Sequence, residues 1–366
     1  MKKSIIFSLA LSSLLFASCS DDEGGKDPNI TTPYGSTYIL TQGNFYNNIE
    51  GGLDVLDYKT GISTSVFKTV NHRSIGDTPQ CGVAYKGNIY IGVAESNTIE
   101  ILDAETYTSK KQIRLSQTGG YGSTPRSMVA SGDYVYVSMF SGHVARLNVN
   151  TQEFDGVVAV GPNPDIMALY NGKLYVPITN GMDYPNYENR VQIIDPASMQ
   201  VEQSITVGIN PTEMIAADGH LYVLTSGNYD KTLPDYQPSQ LREIMPDNSV
   251  NVICEATIVE SYGQGVLIID QQFDANGVPT AQYLKYNPAS KQTEAWNVAD
   301  KPDYPNYIYY DKAADKVLIA SYVMSGTYPS YDLPGYVNAY TASDMKLAEK
   351  YNLGTAGPSY IFKMQK

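Results

Sequence analysis

The segment PDIMALYNGKLYV, Pro164–Val176, has a near-copy in PTEMIAADGHLYV, Pro211–Val223, and the two begin 47 residues apart. Both run from a proline through a methionine and a turn glycine to Leu-Tyr-Val. Each reads as a strand, a tight turn and a second strand of alternating pattern rich in Tyr and Val. The same turn-and-strand pattern occurs upstream in AYKGNIYIGV and ASGDYVYVSM, which align Gly87 and Gly132 with Gly172 and Gly219, and downstream in DKAADKVLIA. A proline precedes most of these hairpins, at Pro79, Pro125, Pro164, Pro211 and Pro305, with Pro358 near the end. The interval from Pro211 to Pro305 is two periods, so one unit lacks its proline. A second pair of strands follows each hairpin, as in TIEILDAETY and RVQIIDPASM.

Four short antiparallel strands repeated at this period define a β-propeller blade, because one blade cannot bury both of its faces alone. The body from residue 35 to residue 366 accommodates seven such units. The expected fold is therefore all-β, a seven-bladed β-propeller with four antiparallel strands, A to D, in each blade. The chain enters at STYILTQGN, a B-type strand, and leaves through GPSYIFKMQK, an A-type strand. The C-terminal strand would then complete the first blade and remove a frayed seam. The sixth unit, around VICEATIVESYGQGVLIIDQQF, fits the template loosely.

In an antiparallel meander the turns alternate between the two ends of the strands, so B–C and D–A connections share one face of the disc. The pentapeptide DYPNY occurs twice, at Asp183–Tyr187 after a B strand and at Asp303–Tyr307 before an A strand. Parity puts both on the same face, the second in a D–A loop. Long B–C connections are expected there in the first, fourth, fifth, sixth and seventh units, and short turns opposite. Loops of this kind carry binding residues on a rigid scaffold. The candidates are Phe45, Tyr46, Tyr184, Asn186, Tyr187, Tyr229, Tyr236, Tyr304, Asn306, Tyr307, Tyr328 and Tyr331. Tyrosine offers broad apolar contact with a hydroxyl at its tip, and the amides add donors and acceptors, a combination suited to an amphipathic ligand. The alternative for any one ring is packing of loop against loop.

The N-terminus reads as targeting sequence. Lys2 and Lys3, the apolar run SIIFSLALSSLLF and small residues before Cys19 form a lipoprotein-type signal over residues 1–18, with Cys19 the acylation site, rather than a retained membrane helix. Residues 19–34 are polar, acidic and Gly/Pro-rich, a tether with nothing to bury. The chain carries a net charge of −13, which excludes nucleic acid and anionic lipid as natural partners, so contact with a membrane would run through the lipid anchor only. Beyond Cys19, Cys81 and Cys254 make no disulfide framework and read as buried apolar residues. His72, His143 and His220 share no site, and no G-x-S-x-G, H-E-x-x-H or phosphate-cradling loop is present, so enzymatic chemistry is not expected and no cofactor is required. Asp183, Asp230, Asp235, Asp303 and Asp332 offer hard oxygens for Ca²⁺ without the spacing of a known calcium loop, and solvated charge is the plainer reading.

With lipobox, acidic Ser20-Asp21-Asp22-Glu23 run and seven repeats in place, the chain resembles the YncE-like seven-bladed propellers. Among them it is most similar to the surface-exposed cobalamin-binding lipoproteins of Bacteroidota, through the P-x-x-M-x-x-x-x-G-x-L-Y-V pattern at Pro164 and Pro211. That resemblance implies a lipid-anchored protein on the outer face of the outer membrane that captures cobalamin (vitamin B12) or a related corrinoid and passes it to a TonB-dependent outer-membrane transporter. A corrinoid is a wide, partly apolar macrocycle fringed with amides, compatible with a Tyr and Asn surface. The alternatives are a surface glycan-binding lipoprotein, made less attractive by the placement of the single Trp296 away from the loops, and an interaction scaffold. A hydrolase built on two loop carboxylates comes last.

Overall fold

The computed structural model describes residues 36–365 apart from positions 233, 264 and 275. The signal at residues 1–18, the acylation site Cys19 and the tether at residues 19–34 lie outside the described residues. Seven four-stranded antiparallel sheets follow one another in chain order. Blade one takes its innermost strand A from the C-terminus, Pro358–Lys363, and strands B, C and D from Thr37–Thr41, Gly52–Asp57 and Gly61–Ser63. Across that seam Thr37 pairs with Lys363, Tyr38 with Phe362 and Ile39 with Ile361. The ring is closed by its own last strand, as the offset between the chain ends implies.

Burial follows position in the blade. Strand B of blade two, Asn88–Val93, is buried from Ile89 onward, because adjacent blades cover both of its faces and alternation disappears. Strand D of blade three, Glu153–Ala159, alternates between exposed and half-buried, as an edge strand with one dry face should. The core is consequently a set of clusters between neighbouring blades, such as Tyr38, Leu40, Phe67, Ile89, Ile91 and Phe362 at the junction of blades one and two. On the face opposite the long loops, Asp or Asn at the end of strand C accepts from backbone N–H groups of the C–D turn. Asp103 takes those of Glu105 and Thr106, Asn148 those of Asn150 and Thr151, and Asn287 those of Ala289 and Ser290.

In five of the seven blades a proline is the first or second residue of strand A. A proline has no N–H for the ladder, and immediately after it the pairing with strand B slips by one residue. Gln80, Arg126, Thr212 and Asn306 are left unpaired in blades two, three, five and seven, as is Ser359 in blade one. Blade six, which lacks its proline, has Ala256 and Thr257 before strand A, Ile258–Tyr262, and the Thr257 hydroxyl donates to the Ile269 carbonyl. These bulges point polar side chains at the axis and tie blades together. Gln80 donates to the Pro125 carbonyl, Asn306 to that of Pro358, and Ser359 to that of Pro79.

Besides two single-turn 3-10 segments, Phe45–Asn47 and Leu115–Gln117, one α-helix among the described residues departs from the β pattern. After the short strand D of blade one, Val66–Asn71 forms a helix whose Val66 and Phe67 are buried. The fully buried Asp54 fastens it, accepting from the N–H groups of Ser65 and Gly354, each at 2.7 Å, so helix, blade one and the approach from blade seven share one carboxylate.

Candidate functional site

The B–C connections of blades two and three are tight, joining Val93 to Thr98 and Met139 to His143. Long ones occur in blades one, four, five and seven. Blade six departs from the expectation: its QQFDANGVPTA segment extends strands B and C, Gly265–Phe273 and Pro279–Asn287, to a short turn in which Asp274 caps the N–H groups of Asn276 and Val278. The pairing of Gln271 with Ala281 and Phe273 with Pro279 extends this hairpin through residues whose Gly and Asn neighbours suggested a loop.

Three aromatic groups stand on the loop face. In the first, Tyr184 and Tyr187 of blade four meet edge to face at 6.0 Å, Tyr187 meets Tyr229 of blade five at 6.1 Å, and the Tyr184 hydroxyl donates to Asp230 at 3.3 Å. Thr232 holds the Asp230 carboxyl below the ordinary range through its hydroxyl and its N–H. Loop packing fixes these rings. Asn180 donates to the Asn186 carbonyl at 2.7 Å across the blade-four loop, while buried Asn228 accepts from the N–H of Gln237 and donates to the Asp235 carbonyl in blade five. Gly227 allows the latter crossing: with φ +67°, a Cβ there would stand 2.0 Å from the Gln237 oxygen. Tyr236 lies half-buried in the same loop, and the Asn186 side chain is exposed.

The second group joins blades six and seven, with Phe273 near Tyr304 at 6.4 Å, Tyr304 near Tyr322 at 6.0 Å and Tyr322 near Tyr331 at 5.2 Å. The third is Phe45 against Tyr46, 90% exposed, in the blade-one loop. Asn44 and Asn47 both donate to Asp332 at 2.7 Å, which draws this loop to that of blade seven, where Tyr328 is also exposed. Every exposed aromatic ring among the described residues is on this face: Phe45, Tyr46, Tyr184, Tyr229, Phe273, Tyr328 and Tyr331. Phe273 was missed in the sequence because its blade was out of register there.

The second DYPNY requires a correction. Tyr304–Asp311 is strand A of blade seven, not a D–A loop. Only Tyr304 opens on the loop face. Asn306 is the bulge residue bonded to Pro358, and Tyr307 turns into the channel against Tyr360, ring centroids 5.1 Å apart. The duplicated letters therefore do two jobs, one copy forming a loop and the other the start of an inner strand.

Below the rim, a cavity of about 170 Å³ at the channel mouth takes lining residues from every blade, including Gln42, Gln80, Arg126, Glu213, Tyr307 and Tyr360. Of these only Tyr307 was among the sequence candidates, although the positions just after the blade prolines give the signal for Gln80, Arg126, Glu213 and Tyr360. Arg126 forms a two-pronged ion pair with Asp165, at 2.6 and 3.2 Å, and that carboxylate raises its pKa against the cost of burial. Burial lifts the Glu213 carboxyl to about 8, with Glu260 and Asp165 adding repulsion and Arg126 opposing it. Burial likewise lifts Glu260 to about 8 and Asp54 to about 6. An acid whose pKa is higher folded than unfolded binds more protons in the folded state, so its stabilising contribution is complete below the unfolded pKa and is lost as pH rises through the folded one. The protein should accordingly lose stability between about pH 5 and pH 9. Glu213→Gln should flatten that loss, its melting temperature gaining on the parent by about 2 °C or more across the range. Parallel melting curves of the two proteins would show that Glu213 does not titrate in this window.

No group of three or more His, Cys, Asp or Glu able to hold a metal ion is found among the described residues. No described helix is long and apolar enough to cross a membrane. Among the described residues the free thiols are Cys81, buried, and Cys254, half-buried. Trp296 is buried just beyond strand D of blade six.

Among solved structures, the chain is similar to a hypothetical selenium-binding protein from Sulfolobus tokodaii, with TM-score 0.60, 10% identity and coverage of 91% of this chain and 94% of that one. A functionally unknown protein from Desulfotomaculum acetoxidans gives TM-score 0.58 at 12% identity, covering 89% and 98%. Kuenenia stuttgartiensis hydrazine synthase gives 0.56 at 15% identity, covering 76% and 86%. At these identities the likeness is one of fold. No curated protein sequence matches the chain. The family described as Domain of unknown function (DUF5074) matches residues 35–349, almost the whole propeller, and the chain belongs to that family.

Proposed function

We propose that the loop face of this propeller captures cobalamin or a related corrinoid. In this reading the protein is a lipoprotein held at the extracellular side of the outer membrane through Cys19, and it passes its ligand to a TonB-dependent transporter. The carrying observation is the segregation of exposed aromatic rings: among the described residues all are on one face, spread over five blades, while the opposite face has short capped turns. A broad, shallow aromatic surface interspersed with amides and fixed by bonds between loops suits a wide macrocycle with an amide fringe. Rings already held in place by neighbouring rings lose little freedom on binding. Glycan capture is less well served, because the one indole, Trp296, is buried away from this face.

Calorimetric titration of the purified protein with cyanocobalamin should give saturable one-to-one binding. No heat with cyanocobalamin but saturable heat from a glycan panel would replace this reading with the glycan one. Silence to both would leave the face as a protein-docking surface and refute capture of either ligand.

A further inference from the structure

The channel-mouth cavity has chemistry of its own, separate from the aromatic rim. The Arg126 charge is matched by Asp165 through two hydrogen bonds, and its third goes to the Gln80 side-chain oxygen at 3.1 Å. Glu213, which lines the cavity, has no hydrogen-bond or ion-pair partner among the described residues. Glu260, in strand A of blade six, accepts from the adjacent Ser261 through its hydroxyl, at 3.0 Å, and its N–H, and has no ion-pair partner among the described residues. The rings of Tyr307 and Tyr360 are half-buried beside Glu213, tilted at 53° to one another. The Glu213 side chain is half-buried at the channel mouth, where a carboxylate without a bonded countercharge is disfavoured. Tyrosine faces attract a cation that also has carbon surface. Too few hard ligands converge here for a metal ion.

We propose that this cavity binds a small organic cation of the alkylammonium class, its charge toward Glu213 and its carbon surface toward Tyr307 and Tyr360. The groups facing Glu213 are Arg126 and Asp165 from blades three and four, Glu260 from blade six, Tyr307 from blade seven and Tyr360 from blade one. Burial keeps the Glu213 carboxyl protonated up to about pH 8, so the cation must displace a proton and binds better at higher pH.

Tetramethylammonium chloride is a suitable probe because its charge does not titrate. Titrated calorimetrically into the purified protein, with sodium chloride as reference, it should bind saturably and about tenfold more tightly at pH 9 than at pH 7. Glu213→Gln should weaken binding at pH 9 by about tenfold and remove the pH dependence. Three results would overturn the proposal: no saturable heat beyond that of sodium chloride, equal affinity at the two pH values in the parent protein, or unchanged affinity in a folded Glu213→Gln variant. The parent titrations decide the matter even where the variant fails to fold. Because cyanocobalamin is absent from this experiment, its outcome is independent of the reading of the rim.

Discussion

Phe362→Ala should destabilise the protein by about 3–5 kcal/mol in urea unfolding. Phe362 is in the strand that closes the ring, and it is 6% exposed. Its ring lies 5.2 Å from that of Tyr38 in strand B of the same blade and 5.8 Å from that of Tyr360. It also reaches across the blade boundary, where its tip occupies the space above Gly82 that any Cβ there would invade, at 2.9 Å. Truncation to alanine opens a cavity between blades one and two at the point where the chain ends must hold together. A loss below about 1 kcal/mol would mean that the seam contributes no more than an ordinary surface contact.

The second large effect concerns the rim. Replacing both Tyr184 and Tyr229 by alanine should weaken cyanocobalamin binding at least about tenfold, since centrally placed aromatic anchors carry a disproportionate share of binding energy. Both rings are exposed, at 56% and 65%, so the variant should remain within about 1 kcal/mol of the parent in stability. Tyr304→Ala is a different case. Tyr304 is half-buried between Phe273 and Tyr322, and its loss should lower stability as well as affinity. Tyr85, which donates to the Gly132 carbonyl on the opposite face, supplies the control: Tyr85→Ala should leave affinity unchanged. Unchanged affinity in the double variant would remove the rim from the binding account.

The propeller was legible because its signals are local and repeated. Turn glycines such as Gly172 and Gly219 adopt positive φ, and in five blades a proline stands at the start of the inner strand, so spacing reveals blade number and the closing strand. Loop-face parity was also legible, since it depends only on counting strands. Less accessible was where a loop becomes a strand. In blade seven Tyr304 and Pro305 already pair with Tyr322 and Ser321, a contact made across the sheet and invisible in the five letters shared with blade four. In blade six the turn residues Asp274 and Gly277 are preceded by an extended run paired over its whole length, so loop composition overstated the loop. The channel groups were overlooked for another reason. Glu213 and Arg126 look like ordinary surface charges in sequence, and only the bulges after Pro211 and Pro125 bring them to the axis.

Amide hydrogen exchange of the purified protein with and without cyanocobalamin distinguishes the loop face from the turn face as the place of capture. Ligand should slow exchange in the blade-four loop around residues 183–187, the blade-five loop around residues 227–237 and the blade-seven loop around residues 324–333, leaving the A–B and C–D turns unaffected. Protection confined to those turns, or no change on either face, would contradict capture on the loop face.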